Sequence, residues 1–574
     1  MYDFVILGGG AAGCVLASRL SEQPDVSVLL VEAGKDVSED NIDPDIRSNY
    51  PAKAYFNPDY TWPGQTALLG AHRDPSRRVR ARYEQARLLG GGTSINGMIA
   101  NRGAPSDYDE WEAMGASGWT WKSALPYFRK LERDLDFGGE YHGKDGPFAI
   151  SRFPQADWSG FVRGVTDVLR QRGFAELADQ NAEWRDGFMP TAVSADEKRQ
   201  RVSCALVYLP PAVRARPNLR IVTRTFVRRI VFDGRRATAA EIQGSGALET
   251  VRGRQVVLAC GTIYSPAVLM RSGIGPGAHL QQLGIPVLAS MGGVGQNLIE
   301  HPVASVACLL TPEGRLRILD RHHTQAHVRF SSRLDGCPAG DMSLAIIARS
   351  GWHAVGRRVG SLYLWVNKAY SQGAVTLRSA DPGELPDVDF RMLSDPRDLR
   401  RLMDGFRFIS DIAASPELDR VRTKIFPANY SDRVRKVSRP GRRNEVQMAT
   451  FAGLLDSLPF LRGWLIDHVV TSGTTMRDIL ASDAALEGYL RNGVAGVWHP
   501  VGTCRMGRAD DPLAVTGPSG RVHGLDALRV CDASVMPTIP CANTQVPTIM
   551  LAERMADLIK VESRDQAGRV AVAS

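Results

Sequence analysis

The chain opens with an apolar run, Phe4 to Leu7, that feeds directly into Gly8-Gly9-Gly10-Ala11-Ala12-Gly13. This is G-x-G-x-x-G at the N-terminus, and it stands in the context such a motif needs. Cys14 to Leu20 reads as a helix, and Val26 to Val31 reads as a buried second strand ending in Glu32. The result is a strand, turn, helix, strand unit of the dinucleotide-binding kind. Gly8 permits the tight turn, Gly10 lets the backbone approach a pyrophosphate at the positive helix N-terminus, and Gly13 lets helix and strand pack closely. Glu32 is placed to accept hydrogen bonds from a ribose. FAD and NAD share the ADP half that this unit holds, so the motif alone leaves the choice between them open.

At 574 residues the chain exceeds the size of one hydrophobic core, and about two to four domain-sized units are expected. The formal net charge of +8 is mild for this length, and no recognised nucleic-acid module accompanies it. A nucleic-acid partner is therefore not expected. No secretory signal precedes the first strand and no run of about 18 apolar residues is present, so the expected location is cytoplasmic. The eight cysteines are scattered without a C-x-x-C pair, which argues against a zinc site and a disulfide framework. They read as reduced, mostly buried fillers, and no metal is expected.

Between Asp36 and Arg80 the chain is loop-rich, with Pro44, Pro51, Pro58, Pro63 and Pro75. A second glycine cluster follows, Arg87-Leu88-Leu89-Gly90-Gly91-Gly92-Thr93-Ser94-Ile95-Asn96-Gly97-Met98, whose backbone N–H groups suit an anionic or carbonyl-bearing ligand. Short strands are expected from Asn218 to Val227 and Ile230 to Asp233, and a buried strand from Gln255 into Cys260-Gly261 before a helix from Ser265 to Arg271. The final segment returns to the same character: Leu528 to Asp532 is a short strand with a terminal acid, and Thr548 to Lys560 an apolar-periodic helix. The expected fold class is α/β, with a discontinuous Rossmann-like cofactor-binding domain over 1–155, 199–301 and 491–562. A second domain, an α+β unit built on a mixed sheet, takes 156–198 and 302–490 and binds substrate. Residues 426–475 read as a lid or surface element, and 563–574 as a flexible tail.

Four motifs in order make the chain resemble the glucose-methanol-choline (GMC) oxidoreductase family over nearly its whole length. They are Ala86 to Asn96, Gly261 to Gly275, Trp498-His499-Pro500-Val501-Gly502-Thr503-Cys504-Arg505-Met506-Gly507, and Ala542-Asn543-Thr544-Gln545-Val546-Pro547-Thr548. The resemblance implies FAD rather than NAD, an alcohol as hydride donor, and His499 with Asn543 at the flavin face. It also implies cofactor contacts from Ala11, Ala12, Ala33, Arg87, Gly90, Gly91, Gly92, Thr93, Asn96, Gly97, Met98 and Ile99. Val227, Cys260, Gly261, Trp498, Asp532, Ala533, Asn543, Thr544 and Gln545 complete that implied set. Some members bind FAD covalently through a histidine at the place held here by Ile95, so non-covalent FAD is expected. The stretches Gly90 to Gly103, Leu364 to Lys368, Leu393 to Leu399 and Gly496 to His499 look most like 5-hydroxymethylfurfural oxidases and bacterial aryl-alcohol oxidases. That likeness points to a primary alcohol on an aromatic or heteroaromatic ring.

Alcohol oxidation removes a proton from oxygen and a hydride from carbon, so a base must reach the hydroxyl. Histidine suits the task near pH 7, and His499 follows the small and apolar run Val494 to Trp498. His499 is the expected base and Asn543 the donor to the substrate oxygen as charge develops. Met98, Trp365, Asn367, Trp498 and His499 are expected to line the substrate pocket, and His301 is read as structural. Asp532 is expected near the cofactor, although a capping aspartate has the same signature. Arg433, Arg435, Lys436, Arg439, Arg442 and Arg443 precede an apolar stretch from Phe451 to Val470; a lid over the pocket is favoured over a membrane-surface element. The electron acceptor, oxygen or a quinone-like molecule, stays open. So does a dehydrogenase acting on an aliphatic or carboxylate-bearing alcohol, and a lyase or photodecarboxylase on the same fold.

Overall fold

The computed structural model describes residues 1–574 except 73–75, 77, 79, 320, 429–431, 438–440, 472 and 574; for 432, 433, 435 and 564–573 it describes the backbone alone. The first strand, Tyr2–Leu7, ends in four buried residues, as expected of a strand covered on both faces. It lies in parallel between Val28–Val31 and the end of Leu248–Leu258, with Leu7 opposite Val31 and Leu258. Leu219–Val222 extends this parallel sheet on one side, and Phe226–Asp233 and Arg236–Gln243 fold onto Leu248–Leu258 as antiparallel ribbons. Leu528–Val530, from the far end of the chain, pairs in parallel with Val256–Leu258. Strands from both ends of the sequence thus share one sheet.

A second, antiparallel sheet runs in the order Arg422–Pro427, Pro302–Leu310, Val359–Val366, Met342–Ile347, Thr324–Phe330, Gly187–Pro190. Alternation divides its faces. Leu362, Leu364 and Val366, with Leu344 and Ile346 of the neighbouring strand, join a core shared with Leu402, Phe406 and Ile409 of the helix Pro396–Ala414. Trp365 packs instead with Val303 and Ala345 on the opposite face, beside Tyr363, Ile347 and Val497. The short strand Ala495–Gly496 adds to the sheet by pairing with Val303 and Pro302. That pairing carries Trp498 and His499 to the start of Pro302–Leu310.

Two expectations change. The C-terminal helix runs from Gln545 to Ala573, so the backbone is helical through most of the segment read as a tail. Residues 426–475 form helices at Asp432–Val437 and Arg442–Ser457 and a π-turn at Ile466–Val470, which pack through Leu455, Ile466 and Val470 onto Leu309 and Phe426. Among the described residues of this segment only Ala428 lines the large cavity, while Phe460 and Trp464 face solvent; the lid reading fails for its helices because their apolar side is spent on the sheet edge. The side chains of Arg433, Arg435 and Arg439 lie outside the described residues. Among the described residues no helix is long and apolar enough to cross a membrane.

Candidate active site

A cavity of about 750 Å³ runs between the two sheets. One end is aromatic: Trp62 lies 4.6 Å from Tyr264 and 6.0 Å from Phe226, with Val227 alongside. Its middle is backbone. The helix Ala11–Leu20 begins at Gly10, and its first intrahelical bond runs from Cys14 N to the Gly10 carbonyl. The N–H groups of its first turn therefore have no acceptor within the helix. Gly8, at φ +108°, turns the strand toward this helix, and a Cβ there would lie 2.3 Å from the Ala259 carbonyl oxygen. Across the cavity Gly91, at φ +53°, comes so near that a Cβ would lie 2.8 Å from the Gly10 Cα.

Acidic groups order these turns. Glu32 accepts the Gly9 and Gly34 N–H groups at 2.9 and 2.7 Å, and burial raises its carboxyl to about 7 against the pull of those donors. Asp532 accepts Gly261 N–H at 2.9 Å and the Ser265 hydroxyl at 2.5 Å, and also caps Ser534 N–H at 2.8 Å. Capping and a place on the cavity wall are both true of it.

The other end holds His499, nine per cent exposed, between two partners. Asn543 Nδ2 lies 3.0 Å from His499 Nε2, and His301 Nδ1 lies 3.0 Å from His499 Nδ1. An amide nitrogen only donates, so Nε2 accepts and the His499 proton sits on Nδ1, donated to His301. His301 then carries its own proton on Nε2, a buried atom without a hydrogen-bond partner, beside the Asn367 and Pro540 carbonyls. Burial pushes His499 down to about 3 and His301 well below its ordinary value, so both rings are neutral.

Glu300 fixes the loop that carries His499. Its carboxylate accepts the His499 N–H at 2.9 Å and the His301 N–H at 2.9 Å, and takes the Tyr83 hydroxyl as a further donor. Trp498, at φ +61°, adopts a backbone form that a bulky residue rarely takes, and its ring stacks on Tyr83 at 6.1 Å. Burial raises the Glu300 carboxyl to about 7.

Most of the residues expected to form the site meet here. Gly8, Gly10, Ala11, Ala12, Glu32, Ala33, Gly91, Gly92, Thr93, Asn96, Gly97, Met98, Ile99, Val227, Cys260, Gly261, Trp365, Trp498, His499, Asp532, Ala533, Asn543, Thr544 and Gln545 all line the cavity. Four do not. Gly13 lies behind it, where a Cβ would come 1.9 Å from the Gly8 carbonyl oxygen. Gly90 turns at φ +84° and donates to the Gly9 carbonyl, and Arg87 lies over the Trp62 ring at 4.9 Å. Asn367 is not a pocket residue: its Oδ1 accepts Trp365 Nε1, and its Nδ2 donates to the Gly340 and Cys541 carbonyls, so the side chain faces into the protein. His301, expected as structural, touches the proposed base. Tyr83, Glu300, Arg349 and His323 were not expected at the site.

The residues fit an adenine dinucleotide. The glycine turns leave room that Cβ atoms would fill, and Asn543 Oδ1 and Gln545 Nε2 are buried on the wall without partners. Models of the GMC oxidoreductase family match residues 2–303 and 369–552. The chain is 41% identical over 573 residues to the 5-(hydroxymethyl)furfural oxidase of Methylovorus sp. (strain MP688), covering 98% of this chain and 99% of that one. It is 31% identical to the oxygen-dependent choline dehydrogenase of Vibrio vulnificus (strain YJ016), covering 97% and 94%. Among solved structures, pyridoxine 4-oxidase from Mesorbium loti superposes with a TM-score of 0.79 at 27% identity, covering 97% and 99%. The glycine turns, the His499 motif and these matches place the chain in the GMC oxidoreductase family.

Proposed function

We propose that the protein oxidises a primary alcohol on an aromatic or heteroaromatic ring to the aldehyde, with FAD held non-covalently and oxygen as electron acceptor. The observation that carries this is the neutral His499, whose Nε2 lone pair and the Asn543 amide converge on one wall of the cavity. FAD, when bound, supplies the hydride acceptor. His499 Nε2 takes the hydroxyl proton, and Asn543 Nδ2 donates to the substrate oxygen as it becomes negative. Positive charge growing on the imidazole is offset by the Glu300 carboxylate, one oxygen of which lies within 4.8 Å of a His499 ring nitrogen. The walls of Trp365, Tyr363, Val303 and Ala345 make an apolar, aromatic chamber suited to a flat ring.

On this reading residues 1–155, 199–301 and 491–562 hold FAD, and 156–198 with 302–490 shape the substrate chamber, in a cytoplasmic enzyme. The relatives named for furfural and pyridoxine oxidation support an aromatic substrate. The test is anaerobic mixing of the holoenzyme with benzyl alcohol, 5-(hydroxymethyl)furfural and 1-butanol, followed by air. Bleaching of the flavin by the first two and oxygen uptake on reoxidation are expected. No bleaching by any aryl alcohol would overturn the proposal.

A further inference from the structure

Arg349 is four per cent exposed and lines the cavity; among the described residues its polar side-chain partner is Tyr50, and no carboxylate pairs with it. Its guanidinium lies 3.5 Å from the centre of the Tyr50 ring, and its Nε has no hydrogen-bond partner. His323, also on the cavity wall, packs against the same Tyr50 ring at 5.5 Å, and its buried Nδ1 is likewise unpartnered. Two unpartnered buried nitrogens packed against one ring are costly, and a buried cation without a counter-ion more so. An anion that accepts from both removes the cost.

We propose that Arg349 and His323 form an anion-recognition end of the substrate chamber, and that the preferred substrate is an aryl alcohol bearing a carboxylate opposite its hydroxymethyl group. This rests on the alcohol-oxidising function proposed above. The path between the two ends is a continuous strand face: Trp365, Tyr363 and Ser361 line it, with Ala345 and Ile347 paired to the last two. Trp365 lies at the His499 end, since Val303 pairs both with it and with Ala495. Arg349 follows Ile347, the partner of Ser361. Trp365 to Ser361 spans roughly 13 Å at about 3.3 Å per residue, the length of an extended aromatic acid. Burial lowers Arg349 and His323 alike. Arg349 stays protonated and charged, and its Nε–H with the His323 Nδ1–H gives a two-point grip on one carboxylate.

The experiment compares kcat/KM for 4-(hydroxymethyl)benzoate and 4′-(hydroxymethyl)biphenyl-4-carboxylate with that of each methyl ester, in the wild-type holoenzyme and in Arg349→Met and His323→Phe. At least one acid is expected to exceed its ester tenfold or more in the wild type, with the ratio falling below threefold in Arg349→Met. Because acid and ester are compared within one variant, general damage cancels. Esters equal to or better than both acids, or an acid preference unchanged in Arg349→Met, would overturn the proposal. Should the variant lose FAD, competition decides: biphenyl-4-carboxylate is expected to inhibit benzyl alcohol oxidation at least tenfold more tightly than biphenyl-4-carboxamide, and equal inhibition refutes it. Failure of benzyl alcohol itself to bleach the flavin counts against the underlying function instead.

Discussion

The Nδ1 atoms of His301 and His499 face each other at 3.0 Å, and the Asn543 amide on the far side of His499 decides which ring donates. On the proposed mechanism His301 thereby holds the tautomer whose Nε2 lone pair, accepting here from Asn543, takes up the substrate proton. In that mechanism it acts through His499, as a positioning residue.

His301→Ala should lower the rate of flavin reduction by benzyl alcohol about tenfold to a hundredfold, with KM changed far less and FAD content preserved. His301→Asn, which keeps an acceptor oxygen, should recover part of the rate. Equal rates in all three proteins, measured by anaerobic stopped flow, would remove His301 from the mechanism.

Two glycines of the first turn separate folding from cofactor binding. At Gly8 a Cβ meets the Ala259 carbonyl oxygen at 2.3 Å, whereas at Gly10 nothing lies closer than 4.0 Å on the protein side and the atom would occupy the cavity. Gly8→Ala should fail to give folded protein. Gly10→Ala should fold with a melting temperature close to that of wild-type apoprotein and bind FAD at least tenfold more weakly, read by flavin fluorescence titration. Normal FAD affinity in Gly10→Ala would contradict the pyrophosphate position.

Ile95 is buried on the cavity wall where a tethering histidine would stand. An alkyl side chain forms no bond to flavin, so acid precipitation should leave a colourless pellet and a yellow supernatant. Colour retained in the washed pellet would show a covalent link elsewhere.

Acid should destabilise the holoenzyme in a defined window. His301, His322, His323, His327, His353 and His499 are all held below their ordinary value by burial. As pH falls below about 6.5 the unfolded chain takes up protons on these six rings and the folded one does not, so unfolding is favoured. Glu32 and Glu300, raised to about 7, work in the opposite direction, since the folded state protonates them first. His142, raised to about 10, is charged in both states here. Asp398 and Asp532, raised by burial, join the two glutamates, and six against four predicts a falling Tm between pH 6.5 and 4.5 by scanning fluorimetry; a flat or rising Tm contradicts it.

What the sequence made legible was local or motif-borne. The strand ending at Leu7, the turn at Gly8 and the helix that follows are contiguous, and buried strands of Val, Ile and Leu announce a covered parallel sheet. The Tyr83–Glu300–His499 arrangement was not legible, because it depends on Ala495–Gly496 pairing with Pro302–Val303, nearly two hundred residues earlier in the chain. Arg349 follows an apolar strand and has the signature of an ordinary surface charge until the cavity shows it buried. Asn367 misled for the converse reason: it stands beside Trp365 in sequence, but its amide is turned inward to the Gly340 and Cys541 carbonyls.

On the proposed mechanism His499 takes the hydroxyl proton as the flavin is reduced. Anaerobic stopped-flow reduction by benzyl alcohol in wild type and His499→Ala tests it directly. A fall of about a hundredfold or more in the limiting rate, with FAD still bound at full occupancy, is the predicted result. An unchanged rate of flavin reduction in His499→Ala would contradict the account.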